Sequence, residues 1–387
     1  MSEELSTDHT IPYARQWVDE RDVEAVAETL RGDWLTTGPA VDRFEAGLCR
    51  VTGAAQAVAV DSGTAALHAA YHVVGLGPGD EVVTSPLTFA ATANAALYCG
   101  AEVRFADVDP ATGLIDPEAI EEVITDRTRV ITGVDYAGHP ADYDAIGAIA
   151  DRHGLVVVAD GAHSLGARRG GRPVGRLADV TTLSFHPVKP ITTGEGGAVV
   201  TDDGDRARRA AEFRNHGITR DRRRMHGDEG PWDYEMHDLG VNYRITDLQC
   251  ALGTSQLRRL DDFIGRRRQI ATAYLQAFAD VDELKLPTVE PGVESGWHLF
   301  VIRTRSGTES RRALFERLQD LGLGVQVHYR PVYLHPFYRY RGFEPGICPA
   351  AEDFYRRAIS LPLFPAMTDR EVDAVIDRVL RGVEEVF

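Results

Sequence analysis

From residue 57 to residue 202, short β-branched apolar runs alternate with helix-like stretches, and this rhythm limits the fold more tightly than any other feature of the chain. "AVAV" (57–60) precedes "GTAALHAAYHVVGL", "EVVTS" (81–85) precedes "TFAATANAALYCG", "VRFADV" (103–108) precedes "PEAIEEVI", and "RVITGVDY" (129–136) precedes "YDAIGAIADRHG". "LVVVAD" (155–160), "DVTTLSF" (179–185) and "GGAVVTD" (196–202) follow. Near-continuously apolar strands separated by helices predict a mostly parallel sheet covered on both faces. The first part of the chain is therefore expected to be α/β, built round a sheet of the seven-stranded type. "GLGPGD" (75–80) ends a helix instead of opening one, so it reads as a helix stop and turn and not as a dinucleotide fingerprint.

Beyond residue 243 the rhythm changes. "YRITDLQCALGTSQLRRLDDFIGRRRQIATAYLQAF" (243–278) reads as a long helical stretch. "HLFVIRT", the helix "SRRALFERLQDLG", "VQVHYR" and the amphipathic helix "TDREVDAVIDRVLRGVEEVF" come after it. This predicts a large domain over residues 1–255, with an N-terminal arm, and a smaller C-terminal α+β domain over 256–387 that includes the linking helix. A chain of 387 residues with 43% apolar composition can build both cores.

Composition removes several classes of function. A formal charge of −17 argues against a nucleic-acid footprint, which needs a basic face. No run approaches the roughly 20 apolar residues that span a bilayer. The opening "MSEELSTDHT" is acidic where a signal peptide would be basic and then apolar, so a cytoplasmic protein is expected. Cys49, Cys99, Cys250 and Cys348 lie far apart without metal or disulfide spacing, and are expected as free thiols, most of them buried.

The chain has only two lysines, and Lys189 sits between two prolines in "SFHPVKPITTGEGG" (184–197). Where arginine carries nearly all positive charge, a retained lysine suits a place where a free amine must form an imine. Other strand ends supply what such an amine would need. Asp160 ends "LVVVAD", where ligands sit in open α/β sheets, and an acid there can hold a proton on a heterocyclic nitrogen, although an aspartate also caps turns. His163 follows three residues on. Gly63 and Thr64 open a helix straight after a strand, which makes either an anion site or an ordinary helix cap. Phe89 begins another helix after another strand, and can cover a flat ring or fill the core. Taken together, an anion site, a ring-covering aromatic, an acid and an amine at successive strand ends read as a site for pyridoxal 5'-phosphate (PLP).

At these residues the chain resembles the DegT/DnrJ family of PLP-dependent sugar aminotransferases. The similarity is carried by "DGAHSLGA", "SFHPVKPITTGEGGAVVT", "FRNHGI" and "LGVNYRITDLQCALGTSQLRRLDDF", and extends from "IPYARQWVDERDVEAVAETLRGDWLTTGPAVDRFE" to "VHYRPVYLHPFYR" and "LPLFP". The resemblance implies the fold-type I PLP-transferase architecture. It implies Lys189 as the lysine that carries the cofactor, Asp160 as partner of the pyridine nitrogen and His163 as ring neighbour. Gly63, Thr64 and Ser184 would bind the phosphate, Phe89 would stack on the ring, and Asn242 would reach the phosphate from the neighbouring subunit of a homodimer.

"GDWLTTGPAV", "SPLTFAATANAALYCGA", "SFHPVK" and "HGITRD" are most similar to the subgroup that aminates a UDP-linked 4-keto-6-deoxy sugar on the way to pseudaminic acid, with L-glutamate as the implied donor. A dTDP-linked sugar is the alternative. His163 stands where many relatives have Gln, and Gly161 where Ala or Ser is usual. Retention of Lys189, which sugar dehydratases of the family replace by His, favours amino transfer. Within "FRNHGITRDRRR", Arg214 and His216 are candidates for the nucleotide diphosphate; His328 and Tyr329 are candidates for the sugar end.

Three other classes are weighed against this one. A ligand-sensing protein on the same fold would not need Lys189, Asp160, the phosphate residues and Asn242 all intact. A nicotinamide-dependent oxidoreductase needs a glycine fingerprint that "DSGTAAL" does not supply. A cysteine desulfurase needs a reactive cysteine on a mobile loop, for which Cys348 in "GICPA" is the one remote candidate.

Overall fold

The structure is a computed structural model and describes residues 10–387; the acidic opening segment, residues 1–9, lies outside the described residues. Its centre is a seven-stranded sheet. The strands are β1 (Gln56–Val60), β2 (Glu81–Thr84), β3 (Glu102–Phe105), β4 (Thr128–Val134), β5 (Val156–Asp160), β8 (Val180–Ser184) and β9 (Gly197–Thr201), in the order β1-β9-β8-β5-β4-β2-β3. The run β8-β5-β4-β2-β3 is parallel, and β9 alone runs antiparallel to both its neighbours. The short strands β6 (Arg168–Arg169) and β7 (Arg172–Pro173) form a separate ribbon between β5 and β8.

Burial on both faces explains the continuous apolar runs. All of β2 and β9 is buried, because helices cover both sides of the sheet. The helices Gly63–Val73, Ala91–Tyr98, Pro117–Val123 and Tyr143–His153 fall where the alternation places them. Local chemistry sets their ends: Ser62 accepts from the Ala65 N–H, Asp142 from Ala145, and Gly154 closes the last helix with a left-handed φ of 65°.

The long helical stretch is two helices, Asp247–Leu257 and Leu260–Ala277, broken at Arg258 and Arg259. Arg259 is nearly buried, pairs with Asp19 at 2.9 Å and with Asp22, and lies 4.9 Å from the Phe263 ring centre. These pairings hold its side chain against the N-terminal helix Glu20–Arg31 at the point where the axis breaks.

Four short strands precede the second core: β10 (Ile218–Thr219) and β11 (Glu235–Met236) pair as a hairpin, β12 (Leu284–Lys285) joins the next sheet, and β13 (Val293–Glu294) pairs with β6. In that next sheet β12 lies beside β14 (Phe300–Thr304), and β14 beside β15 (Ala358–Leu361). Helices Thr308–Asp320 and Asp369–Val386 close over it through Leu314, Leu318, Val375 and Val379. "VQVHYR" forms only an isolated bridge, Gln326 to Ser360, so β15 supplies the edge that this run does not.

One set of bonds ties the linking helix Leu260–Ala277 to this second core, and two further bonds fix the core onto the sheet. Buried Arg267 donates to the carbonyls of Trp297, His298 and Leu363 at 3.2, 3.3 and 3.0 Å. Tyr136 donates to the His328 carbonyl at 2.5 Å, and Val332 N–H to Pro86 at 3.0 Å. The segment carrying His328 and Tyr329 is thereby held over the C-terminal ends of the parallel strands. Among the described residues no helix is long and apolar enough to cross a membrane.

Candidate active site

A cavity of about 620 Å³ opens at those strand ends. It brings together Gly63, Thr64, Phe89, Asp160, His163, Ser184, Lys189, His328 and Tyr329, contributed by segments more than 260 residues apart in the chain.

Asp160 ends β5 and is buried. Burial raises its pKa, while the Thr92 hydroxyl, the Ala162 N–H and the charge of Lys189 work in the opposite direction. The Thr92 hydroxyl donates to Oδ2 at 2.6 Å and Ala162 N–H to Oδ1 at 3.2 Å. Thr92 is itself bonded to Thr88 at 2.6 Å, one helical turn back. Asp160 thus meets the cavity as a fixed, hydrogen-bonded carboxylate.

Lys189 retains some surface on the cavity it lines, yet the protein packed round it pulls its ammonium down to about 8, against the opposing pull of Asp160. With that value, roughly a tenth of the amine is uncharged at pH 7. The site therefore keeps a nucleophilic amine beside an acid.

Three histidines surround them as neutral rings. Burial lowers His163 and His298 well below the usual imidazole range and His328 to about 4. His163 shares a hydrogen bond of 3.1 Å between Nε2 and the Tyr329 hydroxyl, and its ring lies 4.3 Å from that of His298. Its Nδ1 is buried with no hydrogen-bond partner among the described residues.

The other end of the cavity suits an anion. Ser62 caps the helix Gly63–Val73 and takes the N–H groups of Ala65 and Ala66, which leaves those of Gly63 and Thr64 at the helix start. A Cβ on Gly63 would stand 2.9 Å from Ser184 Cβ, so glycine lets the helix start and the Ser184 hydroxyl face one small space. Phe89 is 64% exposed at the rim, 6.5 Å from the Tyr329 ring. A phosphate cradle, an exposed aromatic, a fixed carboxylate, an orphaned imidazole nitrogen and a depressed lysine fit a phosphorylated pyridine aldehyde such as PLP.

Three sequence candidates lie elsewhere. Arg214 does not line this cavity; it is bonded to Glu45 and to the Ala59 carbonyl, both at 2.5 Å, and borders a separate cleft of about 560 Å³ with Asn215 and Arg244. His216 is exposed, with a left-handed φ of 63°. Asn242 is exposed beside that same cleft and bridges to Asn215 through the backbone. Sequence reading missed Thr92 and His298, whose proximity to Asp160 and His163 arises only in the fold.

The thiols give no rival nucleophile. All four are free; Cys250 and Cys348 are buried, while Cys49 and Cys99 are half-buried, so fewer are buried than expected. Burial raises the Cys348 thiol, which lies outside the cavity at the start of the helix Pro349–Arg357.

Comparison with known proteins agrees with this geometry. Residues 16–380 match the model of the DegT/DnrJ/EryC1/StrS aminotransferase family. The chain is 40% identical over 375 residues to the spore coat polysaccharide biosynthesis protein SpsC of Bacillus subtilis, covering 96% of each. Among solved structures it resembles the PLP form of Spr1654, a putative sugar aminotransferase of Streptococcus pneumoniae, with a TM-score of 0.92, 30% identity and coverage of 98% and 100%. It also resembles PseC of Helicobacter pylori, an aminotransferase involved in the biosynthesis of pseudoaminic acid, with a TM-score of 0.91, 32% identity and coverage of 97% and 100%. The chain belongs to the DegT/DnrJ/EryC1/StrS aminotransferase family and is a PLP-dependent enzyme of the fold-type I architecture.

Proposed function

We propose that the protein transfers the amino group of L-glutamate to the C4 ketone of a nucleotide-linked 4-keto-6-deoxy sugar, UDP being the nucleotide, in the making of pseudaminic acid or a related amino sugar. The observation that carries amino transfer is the pairing of Lys189 with Asp160 in one cavity that also holds an anion cradle. The similarity to SpsC, a polysaccharide biosynthesis protein, and to PseC, an aminotransferase of pseudoaminic acid biosynthesis, supports a sugar as acceptor.

PLP, when bound, supplies an electron sink for a carbanion next to the migrating nitrogen. The protein's part is binding and proton handling. Gly63, Thr64 and Ser184 hold the phosphate and Phe89 covers the ring. Asp160, whose carboxylate form Thr92, Ala162 and the charge of Lys189 favour against the burial that raises its pKa, would retain a proton on the pyridine nitrogen. The Lys189 amine would take a proton from the donor's α-carbon and return it to the carbon on the far side of the migrating nitrogen, a role that its lowered basicity suits. His163 and Tyr329 form one hydrogen-bonded wall, and His328 lies at the sugar end.

The cavity's lining has no arginine, although a nucleotide sugar and glutamate both bring anionic groups. That supports completion of the site by a second copy of the chain. Asn242 would reach across to the phosphate, and His216 is exposed next to Asn215, which bridges to Asn242. Trp34, Leu35 and Leu239, exposed at 56%, 49% and 80%, supply apolar surface for such a homodimer. The unpaired cysteines suit a reducing cytoplasm.

The test is a half-reaction. The PLP enzyme is converted by L-glutamate to its pyridoxamine form, and UDP- and dTDP-linked 4-keto-6-deoxy sugars are added separately while the visible spectrum is followed. Return of the starting spectrum with the UDP-linked N-acetylated sugar is the expected result. Return with the dTDP sugar alone changes the acceptor, and no return with any keto sugar refutes the proposal.

A further inference from the structure

The hairpin β10–β11 carries a second cluster of titratable side chains, none of which lines the cavity at the strand ends. Its ladder has only two pairs, Ile218 with Met236 and Thr219 with Glu235, yet it must close the long loop formed by residues 220–234. At the base of that loop, His226 Nδ1 lies 3.0 Å from Glu235 Oε2, and His237 Nε2 lies 2.6 Å from the same oxygen. All three donor atoms are within 4.8 Å of one another.

The arrangement has a sequence cause. Glu235 and His237 are two apart where the chain leaves an extended strand, so their side chains share a face. His226 arrives from the opposite limb of the loop. The second carboxylate oxygen, Oε1, accepts the backbone N–H groups of His226 and Gly227 at 2.7 and 2.9 Å, which fixes the carboxylate and points Oε2 at both imidazoles. Orientation of a ligating group by bonds to its other atoms is what metal sites require.

We propose that His226, Glu235 and His237 bind one divalent transition-metal ion of the zinc class. Two imidazoles and a carboxylate are a donor set that zinc accepts, with bonds of about 2.0–2.2 Å and donors therefore roughly 3.3 Å apart. The separations of 3.0 and 2.6 Å from the Glu235 oxygen lie close to that spacing, and the two imidazole nitrogens, within 4.8 Å of each other, would draw together on binding. The His226 side chain is 87% exposed, so a fourth position is open to water or to an incoming ligand. Hydrogen bonding, first from His237, holds the Glu235 carboxyl down to about 2, so it faces both histidines as an anion. Three arginines of the same loop already have acidic partners: Arg222 pairs with Asp228, Arg223 with Asp221 and Arg224 with Glu212. A bound ion would clamp residues 220–234, which two ladder pairs hold only at the base.

The probe is Zn²⁺, titrated into the tag-free PLP enzyme after chelator treatment, with a chromophoric chelator as competitor and amide exchange of residues 220–234 as a second readout. The wild-type chain should take up one ion per chain, and exchange in the loop should slow. His226→Asn, at a position too exposed to threaten folding, should weaken uptake at least about tenfold and abolish the slowing. Wild-type uptake no tighter than that of His226→Asn, or no uptake at all, overturns the proposal.

Discussion

The cavity at the strand ends and the hairpin at residues 218–237 use the same side chains for different ends. Both place histidines beside a carboxylate. In the cavity, burial sets the charge state: His163, His298 and His328 are kept neutral and Lys189 is brought to about 8. On the hairpin, hydrogen bonds set it: the partly exposed Glu235 is lowered first by His237, then by the Gly227 N–H and by the ring and N–H of His226. A buried cluster is committed to one protonation state and so can steer protons; an exposed cluster exchanges its protons freely and can exchange them for an ion.

Predictions that break or sharpen this contrast run from large effects to small. Asp160→Asn keeps the shape but removes the anion that holds the ring proton, and should lower the rate of the L-glutamate half-reaction by about 10²–10³-fold, as loss of a fixed electrostatic partner does. Stopped-flow spectra at saturating donor measure this. Thr92→Val removes the 2.6 Å hydrogen bond to Asp160 at nearly constant volume. A bond to a charged group is worth about 1.5–3 kcal/mol, so the same half-reaction should slow by roughly 10–100-fold with PLP still bound. An unchanged rate would show that burial alone holds Asp160 in place.

The third prediction concerns pH. The reactive form of Lys189 is the neutral amine, and its pKa is lowered, so the rate of PLP uptake by the apo-protein should rise about tenfold per pH unit below about 8 and level off above it. A plateau delayed to pH 10 or beyond would mean that Lys189 behaves as a surface lysine, which erases the contrast between the two regions. The smallest effect belongs to the hairpin: without metal, His226→Asn should change the free energy of unfolding by no more than about 0.5 kcal/mol in urea titrations, because the side chain is exposed.

Much of this was legible in the sequence where one strand meets one helix. Strands buried on both faces write themselves as continuous apolar runs, and Gly63, Asp160 and Lys189 follow such runs directly. Features that depend on distant segments were not legible. The helix breaks at Arg259 because of Asp19 and Asp22, at the far end of the chain. β15 hides in "AISL", between a helix and two prolines, and pairs with β14, more than 50 residues back in the chain. Thr92 reads as one more residue of an alanine-rich helix until the fold sets it against Asp160, 68 positions on. Arg214 suggested a diphosphate partner by its chemistry, yet its guanidinium is engaged by Glu45.

The most direct test is the L-glutamate half-reaction of Lys189→Ala, reconstituted with PLP and followed in single turnover. Amino transfer through Lys189 predicts that the donor binds and the spectrum then stalls, with conversion to the pyridoxamine form slowed at least about 10³-fold, within the range that a positioned acid–base group contributes. Conversion at the wild-type rate would contradict it and move the proton transfer to another group of the cavity.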